Sequence, residues 1–150
     1  MTTILIIAHA PLASALKTVA QHTYPDCAAS LEALDVSVGA EVEQIEAMAR
    51  ALLAPHADMH TLVFVDAFGA SPCNAAMRLL DNPKIRLVAG VNVPMLWRTL
   101  CYDTNEPLDA LVVRAVAGAT QGVIPVAASR EQTQSLKTVS NDQAGRHDQQ

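Results

Sequence analysis

Aromatic side chains are scarce in this 150-residue chain, with two Phe, two Tyr and one Trp making up 3% of it. That excludes a surface built to stack bases or sugar rings. Positive charge is also in short supply. Ten Lys and Arg stand against fifteen Asp and Glu, a formal net charge of −5, so a phosphate backbone finds no electrostatic footprint and no nucleic-acid partner is expected. No apolar run approaches the ~20 residues of a membrane span, so no direct insertion is expected. The opening Met1–Ile7 lacks a basic region and meets His9 too early for a signal peptide. The six glycines are scattered, which leaves neither a Walker loop nor a Gly-x-Gly-x-x-Gly cradle for a nucleotide. Three cysteines, Cys27, Cys73 and Cys101, form an odd set without metal-ligand spacing. They are expected to be reduced, buried thiols in a cytoplasmic protein, with no metal site.

What is present is aliphatic. Hydrophobic residues make up 51% of the chain, carried by Ala, Val, Leu and Ile, enough for one domain with a self-sufficient core. Strand and helix patterns alternate. Thr3–Ala8 reads as a strand buried on both faces, followed by a helix from Leu12 to about His22 with its apolar stripe on Leu12, Leu16, Val19 and Ala20. Leu31–Val38 is a weaker strand, and Val42–Leu53 is the clearest amphipathic helix, with Glu41, Glu43 and Glu46 in its first turns. Thr61–Asp66 is a third strand ending in an acid. A helix from Pro72 to about Leu80 follows, with Ser71 expected as its N-cap and Pro72 as its first residue. Lys84–Ala89 is a fourth strand, and Pro94–Tyr102 and Leu108–Gln121 are two more helices. A last short strand, Val123–Ala127, contains Pro125, which cannot donate to a ladder and places this strand at an edge or on another subunit. From residue 129 the composition turns polar, so residues 1–128 are expected to form the domain and 129–150 a disordered tail. This alternation predicts an α/β fold: a three-layer, doubly wound, mainly parallel sheet.

In such sheets the working groups lie beyond the carboxyl ends of the strands. His9, Asp66–Ser71 and Gly90–Pro94 all fall there. A carboxylate at Asp66 can accept from one ring nitrogen of His9, fixing the tautomer and leaving the other nitrogen as nucleophile. Ser71 and Pro72 begin a helix whose free amides suit an anion, Gly69 permits a tight turn, and Asn74 is a further candidate donor. A histidine, an orienting carboxylate and an anion-binding helix end together describe a phosphohistidine site. A Ser-His-Asp hydrolase is the competing reading, but the Gly-x-Ser-x-Gly elbow is missing. With no nucleotide cradle, the phosphoryl group must come from another protein, without a cofactor.

Three segments, IIAHAPLASAL (Ile6–Leu16), VFVDAFGASPCNAA (Val63–Ala76) and AGVNVPML (Ala89–Leu96), resemble the signature segments of the mannose-type enzyme IIA proteins of the bacterial phosphoenolpyruvate-dependent sugar phosphotransferase system. The resemblance spans Thr3–Val126 and implies that His9 accepts a phosphoryl group from the carrier protein HPr and passes it to a IIB component. It also implies that Asp66 bonds Nδ1 so that Nε2 is phosphorylated, that Ser71 contacts the phosphoryl group, and that the protein is a homodimer with an exchanged C-terminal strand. The chain departs from the family in having Ala8 and Ala10 around His9 where Thr and Gly are usual, Gly69-Ala70 where Gly-Gly is usual, and Pro11. Because no IIB domain follows the tail, the alternative role is that of a regulatory phosphoprotein whose His9 state controls binding to a target. The related subunit of the phosphoenolpyruvate-dependent dihydroxyacetone kinase differs from the middle segment.

Weaker signals are His56-x-x-x-His60, expected to be surface histidines rather than a metal pair, and Arg78 and Arg98, which could face phosphate or a partner but suit solvated helix positions better. Trp97 could lie at the site rim, in the core or at a dimer interface; Met95 and Leu96 are expected in the core or an interface.

Overall fold

The computed structural model describes residues 2–102 and 106–127. Its sheet has four strands, β1 (Thr2–His9), β2 (Leu31–Val36), β3 (His60–Val65) and β4 (Ile85–Ala89), in the order β2-β1-β3-β4. All neighbours pair in parallel, so every carboxyl end lies on one edge of the molecule. β1 and β3 are central and nearly continuous in aliphatic residues because both faces are covered.

The covering helices are α1 (Leu12–Thr23), α2 (Val42–Leu53), α3 (Ser71–Met77), α4 (Val93–Thr99) and α5 (Leu108–Gln121). Period-two alternation along the strands divides the core into two layers. Ile4, Ile6, Leu62 and Phe64 face α1, α4 and α5, where they meet Leu16, Leu96 and Leu111. Leu5, Ile7, Val63 and Val65 face α2 and α3, where they meet Ile45, Ala49 and Ala76. Phe64, Leu5, Ile6 and Ile7 are fully buried, each contributing about 1.5–3 kcal/mol of transfer free energy. Small residues let the layers close. On α5, a Cβ at Gly118 would lie 2.6 Å from the Cγ of Arg98 on α4, so only glycine permits this approach.

The predicted bounds of α2 and α5 match the structure. The α/β class and the parallel sheet hold as well. β1 is longer by one residue at each end, and several other elements are shorter or displaced. β2 stops at Val36 because Ser37–Ala40 form a turn in which Gly39 has φ +80°. α3 ends at Met77 and tightens into a 3₁₀ turn over Arg78–Asp81. There the Arg78 guanidinium holds Glu43 and Glu46 of α2, at 3.1 and 3.3 Å. α4 begins at Val93, one residue before Pro94, and ends at Thr99 rather than Tyr102.

Two expectations need correction. Residues 123–127 are not a strand among the described residues. They pair with no strand among the described residues, and Val123, Ile124 and Val126 are exposed. The cysteines are not three free thiols: Cys27 and Cys101 form a disulfide, and only Cys73 is free and buried. A sequence separation of 74 conceals that the connection before β2 and the end of α4 meet at the amino end of the sheet. The expected tail lies outside the described residues.

Candidate active site

His9 is the last residue of β1, and Asp66 directly follows β3, the strand beside it. The parallel register therefore brings together side chains 57 positions apart in sequence. His9 Nδ1 lies 2.6 Å from Asp66 Oδ2, and the His9 backbone amide donates to the same oxygen at 2.9 Å. Asp66 Oδ1 accepts from the Ala67 amide at 2.9 Å. Burial acts most strongly on this carboxyl and pushes it up, but the hydrogen bonds from the His9 amide, the His9 ring and the Ala67 amide together outweigh it. They hold Asp66 below the usual carboxylate range. An ionised carboxylate only accepts, so Nδ1 must carry a proton, which in the neutral imidazole leaves the lone pair on Nε2. Asp66 is 13% exposed and His9 53%; the orienting group is sheltered while the ring can be reached.

The loop that begins at Asp66 continues into α3. Gly69 adopts φ +82°, a conformation that costs an L side chain energy. Ala70, not Ser71, is the N-cap residue. It has extended backbone angles, and its carbonyl accepts from the Asn74 amide at 3.0 Å. Ser71 is the first helical residue, Pro72 the second, and no side chain caps the helix. The correction follows from Gly69, whose turn ends one residue earlier than the capping pattern implied. The Ser71 hydroxyl makes no hydrogen bond within the described residues. Asn74 is an exposed residue of the first turn.

The third strand-end loop is anchored to the second. The amides of Gly90 (φ +90°) and Val91 donate to the Val65 carbonyl at 2.9 and 3.1 Å. Asn92 caps α4 through Met95 N at 2.9 Å and donates to the Ala119 carbonyl on α5 at 3.2 Å. The sequence segment singled out here thus fixes a helix.

The first-turn amide of α1 is held by a residue that the sequence analysis passed over. Asp35, near the end of β2, accepts from the amide and hydroxyl of Ser14. Its sequence signal is weaker than that of Asp66: it is a second acid, after Glu32, inside a strand run that continues to Val36.

The weaker candidates are placed elsewhere. Arg78 is tied to α2, Arg98 packs its stem on α5, and Trp97 is about half exposed on α4 while Met95 and Leu96 are buried. His56 Nε2 lies 3.4 Å from Glu32, and His60 begins β3. Among the described residues no cluster of three or more His, Cys, Asp or Glu gathers as metal ligands, and no helix is long and apolar enough to cross a membrane.

With this geometry established, known proteins supply a family. The family model for PTS system fructose IIA components, EIIA-man, matches residues 3–116. The PTS system mannose-specific EIIAB component of Escherichia coli K12 is 44% identical over 64 residues, which are 41% of this chain and 20% of that protein. The chain thus matches about a fifth of the length of such curated relatives. Among solved structures, the mannose/sorbose-specific IIA subunit from Enterococcus faecalis superposes with a TM-score of 0.78 at 21% identity, covering 86% of this chain and 97% of that one. The EIIA component from Streptococcus agalactiae superposes with a TM-score of 0.74 at 19% identity, covering 83% and 97%. The family match extends over both core layers and all three strand-end loops, and the chain belongs to the EIIA-man family of phosphotransferase-system IIA components.

Proposed function

We propose that this chain is a phosphoryl carrier, accepting phosphate from phosphorylated HPr on His9 and passing it to a IIB component. The observation that carries this reading is the His9–Asp66 pair: a reachable ring whose Nδ1 is held at 2.6 Å by a carboxylate, the arrangement that makes Nε2 the nucleophile of a neutral imidazole. The Nε2 lone pair forms a new P–N bond as the donor's P–N bond breaks, and the donor imidazole leaves with that electron pair. Positive character that develops on the His9 ring is balanced by Asp66 through Nδ1–H. The Ser71 hydroxyl, the backbone amides near Gly69 and Ala70 and the Asn74 side-chain amide would hold the transferring oxygens. The phosphoryl group arrives with the donor, so the mechanism uses no resident cofactor.

The similarity to mannose-specific EIIAB components favours relay to a IIB partner over a regulatory role. A cytoplasmic setting follows from the partners proposed, no longer from free thiols, since Cys27 and Cys101 are bonded. A homodimer is the expected assembly. The exposed Val123–Val126 segment follows α5, and β4 is an edge strand whose outer side can take another copy's strand. Sedimentation should give a dimer that a chain ending at Gln121 no longer forms.

Incubation with phosphorylated HPr should produce one acid-labile, base-stable phosphoryl group per chain, absent in His9→Ala. Label that survives in His9→Ala would rule out this assignment.

A further inference from the structure

Only Ala10 and Pro11 separate His9 from α1. A helix start leaves amides without partners, and the residue at the N-cap ordinarily supplies a side-chain oxygen for one of them. Here that residue is Pro11, which has none to give. The acceptor comes instead from the neighbouring strand: Asp35 Oδ1 takes the Ser14 amide at 2.9 Å, and Asp35 Oδ2 takes the Ser14 hydroxyl. A carboxylate in this place also complements the positive end of the helix.

Asp35 pairs in register with Ala8, and Val36 with His9. The Ala10 amide donates to the Val36 carbonyl at 2.9 Å, so the turn after His9 is fastened to β2 at two points, one backbone and one through Asp35. On the opposite side of β1, His9 itself is fastened to Asp66. Two carboxylates at the ends of the two strands flanking β1 thus divide the task. Asp66 holds the ring, and Asp35 holds the chain that leaves it.

We propose that Asp35 is a positioning residue for phosphoryl transfer: by capping α1 from β2 it fixes the Ala10–Pro11 turn and, through it, the direction in which His9 presents Nε2. The inference rests on the reading of His9 as the phosphoryl acceptor. Asp35 touches neither the ring nor the transferring group, so its effect must pass through the backbone.

The test compares the full-length wild type, His9→Ala, Asp35→Ala, Asp35→Asn and Ser14→Ala by rapid quench, with phosphorylated HPr as donor, and by nitrogen-proton NMR of the His9 ring. Asp35→Ala should lower the saturating transfer rate about tenfold, since misorientation at a reacting centre acts on rate at saturation. The half-saturating donor concentration should stay within about twofold, because the donor-facing surface is unchanged. The Nδ1–H signal of His9 should broaden or shift. Asp35→Asn, which keeps an acceptor for the Ser14 amide, should recover most of the rate, and Ser14→Ala should show a loss of about threefold. Wild-type saturating rates and ring signals in Asp35→Ala overturn the inference while leaving the His9 assignment intact. If Asp35→Ala does not fold, a wild-type rate and wild-type ring signals in Ser14→Ala overturn it. An unlabelled wild type would instead fail the His9 reading itself.

Discussion

At the carboxyl end of the sheet His9 is held by hydrogen bonds to one carboxylate, and the turn that follows it is held by another. At the amino end the Cys27–Cys101 disulfide joins the connection before β2 to the segment after α4. Both ends fasten loops to the same rigid sheet, but with different bonds. Hydrogen bonds to carboxylates can reorganise as charge appears on an imidazole, whereas a covalent link constrains the chain whatever the protonation state. The difference predicts that stability and transfer can be perturbed separately, according to which end is altered.

The largest change in stability should come from the amino end. Reducing the disulfide, or replacing both partners by serine, reopens a loop whose ends are 74 residues apart and should cost about 4 kcal/mol. The melting temperature should fall by on the order of 10 °C, while His9 still accepts phosphate at temperatures where the chain is folded. A transfer rate that falls in step with reduction would show that the two ends are coupled.

Asp66→Ala should do the converse. Loss of the Nδ1 acceptor frees the tautomer and the ring, lowering transfer by about 100-fold, with a far smaller change in melting temperature than reduction of the disulfide. An Asp66→Ala protein that transfers at the wild-type rate would remove Asp66 from the account.

Between the ends, α4 runs from its Asn92 cap toward Cys101 and packs on α5 at Gly118. A methyl group added in Gly118→Ala meets the Arg98 stem at 2.6 Å and should cost about 1–3 kcal/mol, as overpacking does. Denaturant unfolding measures this directly. Transfer should be little changed, because the hydrogen bonds that hold His9 and Asp66 involve no residue of α4.

The smallest effect is the pH dependence of stability that belongs to Asp66. Its carboxyl is held below the usual range in the folded protein, so its contribution is fully present above the ordinary carboxylate value. That contribution is lost as the pH falls through the lowered folded value. Chemical denaturation between pH 7 and pH 2 should show a steeper acid loss in the wild type than in Asp66→Asn.

Legibility in the sequence follows the range of each interaction. The helices α2 and α5 are readable to the residue because their periodicity is local. His9 and Asp66 are readable as a pair because two strand runs end in polar groups and parallel sheets align such ends. The Ser71 cap was displaced by one residue because the positive φ of Gly69 cannot be seen in the residue order. The disulfide and the Asp35–Ser14 cap depend on which strands and helices become neighbours, information carried only by the fold. The same holds for Val123–Ala127, whose apolar pattern indicates a strand that finds no partner strand among the described residues.

The most direct test asks which nitrogen of His9 carries the phosphoryl group. The phosphorylated, ¹⁵N-labelled protein, observed by long-range nitrogen-proton and phosphorus-coupled NMR, should show the P–N bond at Nε2. Nδ1 should remain protonated and hydrogen-bonded to Asp66. A phosphoryl group on Nδ1, or on any residue other than His9, would contradict the account.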